Sequence, residues 1–143
     1  MTPHERNQFM ITRIRSADAP APYREGGYVL RVLTVPGRVP GEPRSWPIAV
    51  VRLRGQRYLC APNRRRDWVR NLLKSGWCTL EGDDPAGQAA VLTEDDDAAE
   101  AVAGYLGALG RTSEEWPFPG GAPASTIRQH LPEIAVFRLA ALP

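Results

Sequence analysis

The chain has 143 residues, 43% hydrophobic and 24% charged, with a formal net charge of +2. At this length one domain with a modest core is expected, burying about two-thirds of its unfolded surface, and the small charge excess gives no argument for nucleic acid. No apolar run approaches the ~20 residues that span a bilayer, and Met1 to Arg15 has no signal-peptide core, so no membrane span and a cytoplasmic location are expected.

Residues 1–27 are polar and rich in Ala and Pro, and Ala19-Pro20-Ala21-Pro22 reads as an extended lead before a folded domain over 28–143. Tyr28 to Val35 and Ile48 to Leu53 are strands by their β-branched and aromatic content. Between them lies the basic Gly/Pro segment from Thr34 to Pro47. Gly37 and Gly41 permit left-handed backbone and close approach of a ligand, while Arg38 and Arg44 supply guanidinium forks suited to phosphate or carboxylate. Two readings stand for it: an anion cradle, or a plain hairpin turn with solvated arginines.

Arg57 to Ala61 returns as a third antiparallel strand, and Asp67 to Lys74 follows as a short helix with Trp68, Val69 and Leu72 inward. Arg64, Arg65, Arg66 and Arg70 cluster at its start, either joining the helix N-terminus around an anion or forming a solvated charged face. Trp77 to Glu81 and Gln88 to Leu92 form another hairpin. Thr93 is read as the N-cap of a helix that runs through an acidic first turn to Leu109, which accounts for the acids without a metal. Gly110 to Pro123 is too apolar for a free linker and too broken for an element, and reads as a lid over a pocket. Ile134 to Leu139 closes the set as a last strand. Six antiparallel strands with flanking helices make a mainly β, α+β fold, a small barrel. Cys60 and Cys78 read as small buried hydrophobes, and all but one of the 18 basic residues are arginine, an excess that matches GC-rich coding.

Several of these segments carry a resemblance. Thr34, Gly37-Arg38, Gly41, Pro43-Arg44 and Pro47 fit the pattern T-x-x-G-R-x-x-G-x-P-R-x-x-P; Arg57-Tyr58-Leu59 enters Ala61-Pro62; Trp68-Val69-Arg70-Asn71-Leu72 and Ala135-Val136-Phe137-Arg138-Leu139 follow in order. From Tyr28 to Pro143 the chain resembles the deazaflavin-dependent nitroreductase family, split β-barrel oxidoreductases abundant in actinobacteria, in its short-loop branch. The resemblance implies a homodimer and a reduced 8-hydroxy-5-deazaflavin coenzyme (F-420, with FMN less favoured). Arg38 and Arg44 would lie near its phosphate or tail, Ala61, Pro62 and Asn63 beside its ring, and Arg65, Arg70 and Asn71 would complete the anion pocket. The coenzyme carries the hydride, so only an electrophilic organic substrate (an enone, quinone or nitro compound) need be placed against it, in a setting such as natural-product tailoring.

Tyr105 is the candidate proton donor, with core packing as its alternative; Trp46, Trp116 and Phe118 are candidate pocket walls, with packing under the loop as the alternative for the last two. Neither histidine, His4 nor His130, has a visible catalytic partner. Pro40 stands where many family members have Ser or Thr, removing a hydroxyl and an N–H from the turn. That departure supports an alternative, a coenzyme-free barrel catalysing a biosynthetic cyclisation or isomerisation, or holding another planar ligand.

Overall fold

A computed structural model describes residues 1–110 and 114–143 of the chain. Its elements are α1 (Pro3–Arg15), β1 (Tyr28–Val35), β2 (Arg44–Leu53), β3 (Gln56–Ala61), α2 (Asp67–Ser75), β4 (Trp77–Glu81), β5 (Gly87–Leu92), α3 (Asp96–Leu109), α4 (Ala124–His130) and β6 (Ala135–Ala140). The strands close into an antiparallel barrel in the order β1-β2-β3-β6-β5-β4.

Period-two alternation divides each strand between two cores. On β3 and β6, Leu59, Ala61, Phe137 and Leu139 fill the barrel, whereas Tyr58 and Val136 point outward into a second cluster under α3 and α4. α2 stoppers one mouth: Trp68, Val69 and Leu72 enter the barrel core, and Gly76, at φ 72°, ends the helix by donating its N–H to the Leu72 carbonyl.

The other mouth is closed by charge. Arg31, Arg57 and Gln88 occupy inward positions, and the β4–β5 turn places Asp83 among them. Asp83 accepts from Arg31 Nε at 2.9 Å, Arg57 Nη1 at 2.5 Å and the Tyr23 hydroxyl at 2.7 Å. Arg31 Nη2 donates to the Ala21 carbonyl at 2.7 Å, and the Arg31 guanidinium lies 4.8 Å from the Tyr23 ring centroid. Burial, reinforced by the bond to Asp83, pushes the Tyr23 hydroxyl up to about 12. A folded pKa above the unfolded value of 10 stabilises the fold fully below that value, and the contribution is lost as pH rises from 10 to about 12. Tyrosinate absorbance and urea midpoints recorded across this window are expected to show late ionisation of Tyr23 and of Tyr58, whose hydroxyl burial also pushes up, and a falling stability; a Tyr23→Phe variant should flatten Tyr23's part of the fall.

The N-terminal lead is therefore not simply extended. α1 begins with Pro3 and a capping box in which Thr2 and Glu5 exchange hydrogen bonds, yet only Ile11 of the helix is fully buried. Arg15 clamps the helix end to Glu81 with two bonds, at 3.0 and 2.6 Å, and the chain is ordered through Ala21 and Tyr23 into the charged mouth. Three further corrections are local. β2 starts at Arg44, so the connection from β1 spans 36–43 and Arg44, Trp46 and Pro47 belong to the strand. The N-cap of α3 is Asp95, whose carboxylate accepts from the Ala98 N–H at 2.8 Å, while Thr93 bonds the Val91 carbonyl. α4 is an additional helix that covers the second core with Ile127.

Candidate functional site

The ladder between β2 and β3 runs only from Val51↔Tyr58 to Leu53↔Gln56. Beyond it the two strands part, and the seam between Trp46–Ala49 of β2 and Cys60 of β3, with Pro62 just past the strand end, opens as a cavity of about 510 Å³. α3 forms one side with Tyr105, Leu106 and Leu109, the start of α2 contributes Arg66 and Trp68, and Trp116 and Asn7 of α1 complete the wall. Three tryptophans thus surround one slot. Trp116 and Trp68 are nearly buried, and Trp46 is half-buried.

Four of the sequence-derived residues meet here: Trp46, Pro62, Tyr105 and Trp116. The Tyr105 ring stands edge-on to Tyr28 with centroids 6.0 Å apart. Phe118 does not join them. It is buried in the second core, 5.6 Å from the Trp116 ring and 5.8 Å from that of His130, and supports the tryptophan from behind. Ala61 points into the barrel core rather than the slot, and the Asn63 side chain accepts from the Arg65 N–H at 2.9 Å to shape the turn before α2. Of the segment expected as a lid, residues 111–113 lie outside those described.

A second, smaller recess of about 140 Å³ lies at the β1–β2 connection, lined by Gly37, Arg38, Arg44 and Asn71 together with Glu42 and Asp67. Arg38 is committed internally: Nη1 donates to Asn71 Oδ1 at 2.9 Å, and Nη2 lies 3.6 Å from Asp67. A Cβ on Gly37 would stand 2.1 Å from the Glu42 carbonyl oxygen, so this glycine serves the closure of the connection on itself; Gly41 takes φ 82°. Arg44 is exposed and, among the described residues, makes no hydrogen bond or ion pair through its side chain; the same holds for Arg65 and Arg70, which lie outside both recesses. Arg44 and Trp46 sit two residues apart on β2 and share a face, so the small recess and the tryptophan slot are neighbours.

The arginine cluster before α2 divides by role. Arg64 is structural, donating Nε to the Ile134 carbonyl at 2.8 Å and pairing with Glu94; Arg66 lines the slot and pairs with Glu115. Both cysteines are free thiols. Burial pushes Cys60, at the seam, up to about 12 and Cys78, in the barrel, up to about 11, so both are neutral at ordinary pH and neither is an activated nucleophile. The described residues contain no group of three or more His, Cys, Asp or Glu side chains placed to hold a metal, and no helix among them is long and apolar enough to cross a membrane.

Sequence reading missed Asn7, Arg66, Cys60 and Trp68 as slot residues. Arg31 did carry a readable signal for the charged mouth, since it interrupts the apolar run Tyr28 to Val35 at an inward position.

No protein-family profile matches the chain, and no curated protein matches it. Among solved structures it is similar to the heme-binding protein from Mycobacterium smegmatis, with a TM-score of 0.51 and 19% identity over 77% of this chain. The chain spans 45% of that protein. At this identity the likeness carries the barrel fold alone.

Proposed function

We propose that the protein is a split-barrel oxidoreductase that seats a planar deazaflavin coenzyme in the tryptophan slot and presents it to an electrophilic organic substrate. The observation that supports this reading is the parted β2–β3 seam, a slot with three indole walls beside a recess carrying the exposed Arg44. Flat aromatic walls favour a flat ligand, and 510 Å³ is within the range of cofactor sites. The residues fit the ring, and Arg44, with Arg70 on the exposed face of α2, offers the charge for a phosphate or acidic tail. When bound, reduced deazaflavin supplies a hydride. Trp46 and Trp116 orient the ring, the neutral Cys60 thiol and Pro62 keep the seam dry, and the Tyr105 hydroxyl holds a proton at the wall.

A second reading has an observation of its own. Arg38 is already bound to Asn71 and Asp67, and Pro40 offers no N–H, so the connection itself has little left for a phosphate. The same slot then serves a non-redox cyclisation or isomerisation. Haem, the ligand named for the structural neighbour, meets no histidine among the described residues of the slot and a thiol held neutral, which leaves Tyr105 as the axial donor type there.

Titration of the protein with oxidised and reduced deazaflavin coenzyme, with FMN and haem as controls, decides between these. Micromolar binding selective for deazaflavin is expected, weakened about 1–3 kcal/mol by Arg44→Ala. Absence of deazaflavin binding would leave the non-redox reading. The proposed homodimer would use the outer face of β4 and β5, where Trp77 and Val91 are exposed, and sedimentation equilibrium tests it with a Trp77→Glu variant.

A further inference from the structure

Arg66 is the only charged side chain among the described residues that line the tryptophan slot, so the cavity carries one positive charge beside the neutral polar groups of Asn7 and Tyr105. Its partner is a carboxylate of the chain itself. Glu115 pairs with Arg66 from the position next to Trp116, which is a wall of the same slot. Both partners are about half exposed, at 43% and 52%, so the pair is one that water and solutes can exchange at little cost.

From this geometry we infer that the slot takes a planar conjugated carboxylate, whose ring lies among Trp46, Trp68 and Trp116 and whose carboxylate replaces that of Glu115 on Arg66. The guanidinium offers a planar fork that matches a carboxylate, and a single cation balances a single charge, which a dianionic phosphate would exceed. Glu115 is then an internal competitor that occupies the anion position in the free protein. The inference rests on the slot being the ligand site and not on which coenzyme is used. It assigns the charge and shape of a ligand of the slot, which is the substrate itself in the non-redox reading and would share the slot with the coenzyme ring in the redox one.

The probes are anthracene-2-carboxylate and its methyl ester, followed by quenching of tryptophan fluorescence in the full chain. The acid is expected to bind about tenfold more tightly than the ester, the scale of one charge-assisted contact. Arg66→Ala should bring the two to within about twofold by weakening the acid alone, and Arg66→Lys should restore part of the difference. Glu115→Gln should tighten the acid about threefold with the ester unchanged, a gain that a merely structural ion pair would not give. Far-ultraviolet circular dichroism checks that each variant is folded. Equal binding of acid and ester to the unaltered protein, or a preference that survives Arg66→Ala, overturns the inference while leaving the slot as a planar-ligand site. Failure of both probes to bind overturns the inference and counts against the slot itself, and the separate coenzyme titration then decides the proposed function.

Discussion

Asp83→Ala is expected to lower the stability of the protein by about 3–5 kcal/mol, because it removes the shared anion of a buried cluster and leaves the cations behind. The side chains of Asp83 and Arg31 are each only 4% exposed, and Arg57 and Tyr23 also direct a hydrogen bond to the same carboxylate. Without it, Arg31 keeps the Ala21 and Leu30 carbonyls as partners but no countercharge. The Tyr23 hydroxyl loses its acceptor, and the lead that it ties to the barrel mouth is freed. Urea unfolding measures the loss, and proteolysis at Arg15 and Arg24 should accelerate in step. Glu81→Ala supplies the contrast: its pair with Arg15 is about half exposed on both sides, and its removal is expected to cost less than about 1 kcal/mol. A loss of under about 1 kcal/mol for Asp83→Ala would mean that the mouth is held by the surrounding apolar packing and not by the cluster.

The contrast between those two carboxylates also marks what sequence can convey. The strands were legible because the barrel buries one face of each, giving Tyr28 to Val35 and Ala135 to Leu139 their apolar, β-branched content. α2 was legible for the same reason at the helical period, with Leu72 among its buried residues, whereas α3 was legible through its acidic first turn and a capping side chain before it. α1 escaped because only Ile11 is fully buried; its signal was the local Thr2–Glu5 capping box, not periodicity. The candidate site divided similarly. Trp46, Pro62, Tyr105 and Trp116 stood out as large or rigid groups near turns or on a helix flank, and they converge. Phe118 stood out equally and packs behind the wall, since an aromatic residue in a broken segment carries no sign of which side it faces. Asn7 and Arg66 lie far from Trp46 in sequence, and what joins them is the parting of β2 from β3, a tertiary event with no local code.

Trp68→Ala is expected to cost about 3–5 kcal/mol, the range for truncating a large buried aromatic residue. Trp68 is 5% exposed, its ring stands 6.1 Å from that of Phe137 inside the barrel, and it is the first large side chain of the helix that stoppers this mouth. Alanine would leave a void continuous with the slot, which water can enter, so the expected loss includes hydration of the upper barrel core. Trp46 borders the same slot but is only half-buried, and Trp46→Ala is expected to cost about 1–2 kcal/mol. The two variants therefore separate roles that the slot combines. Urea midpoints should fall far more for Trp68→Ala, whereas ligand affinity should fall in Trp46→Ala while the fold persists, by about tenfold for an aromatic wall removed. A Trp46→Ala protein that binds the coenzyme and the anthracene acid as tightly as the unaltered chain would place the ligand elsewhere. A Trp68→Ala protein that keeps its stability would show that Val69 and Leu72 alone suffice to close the barrel.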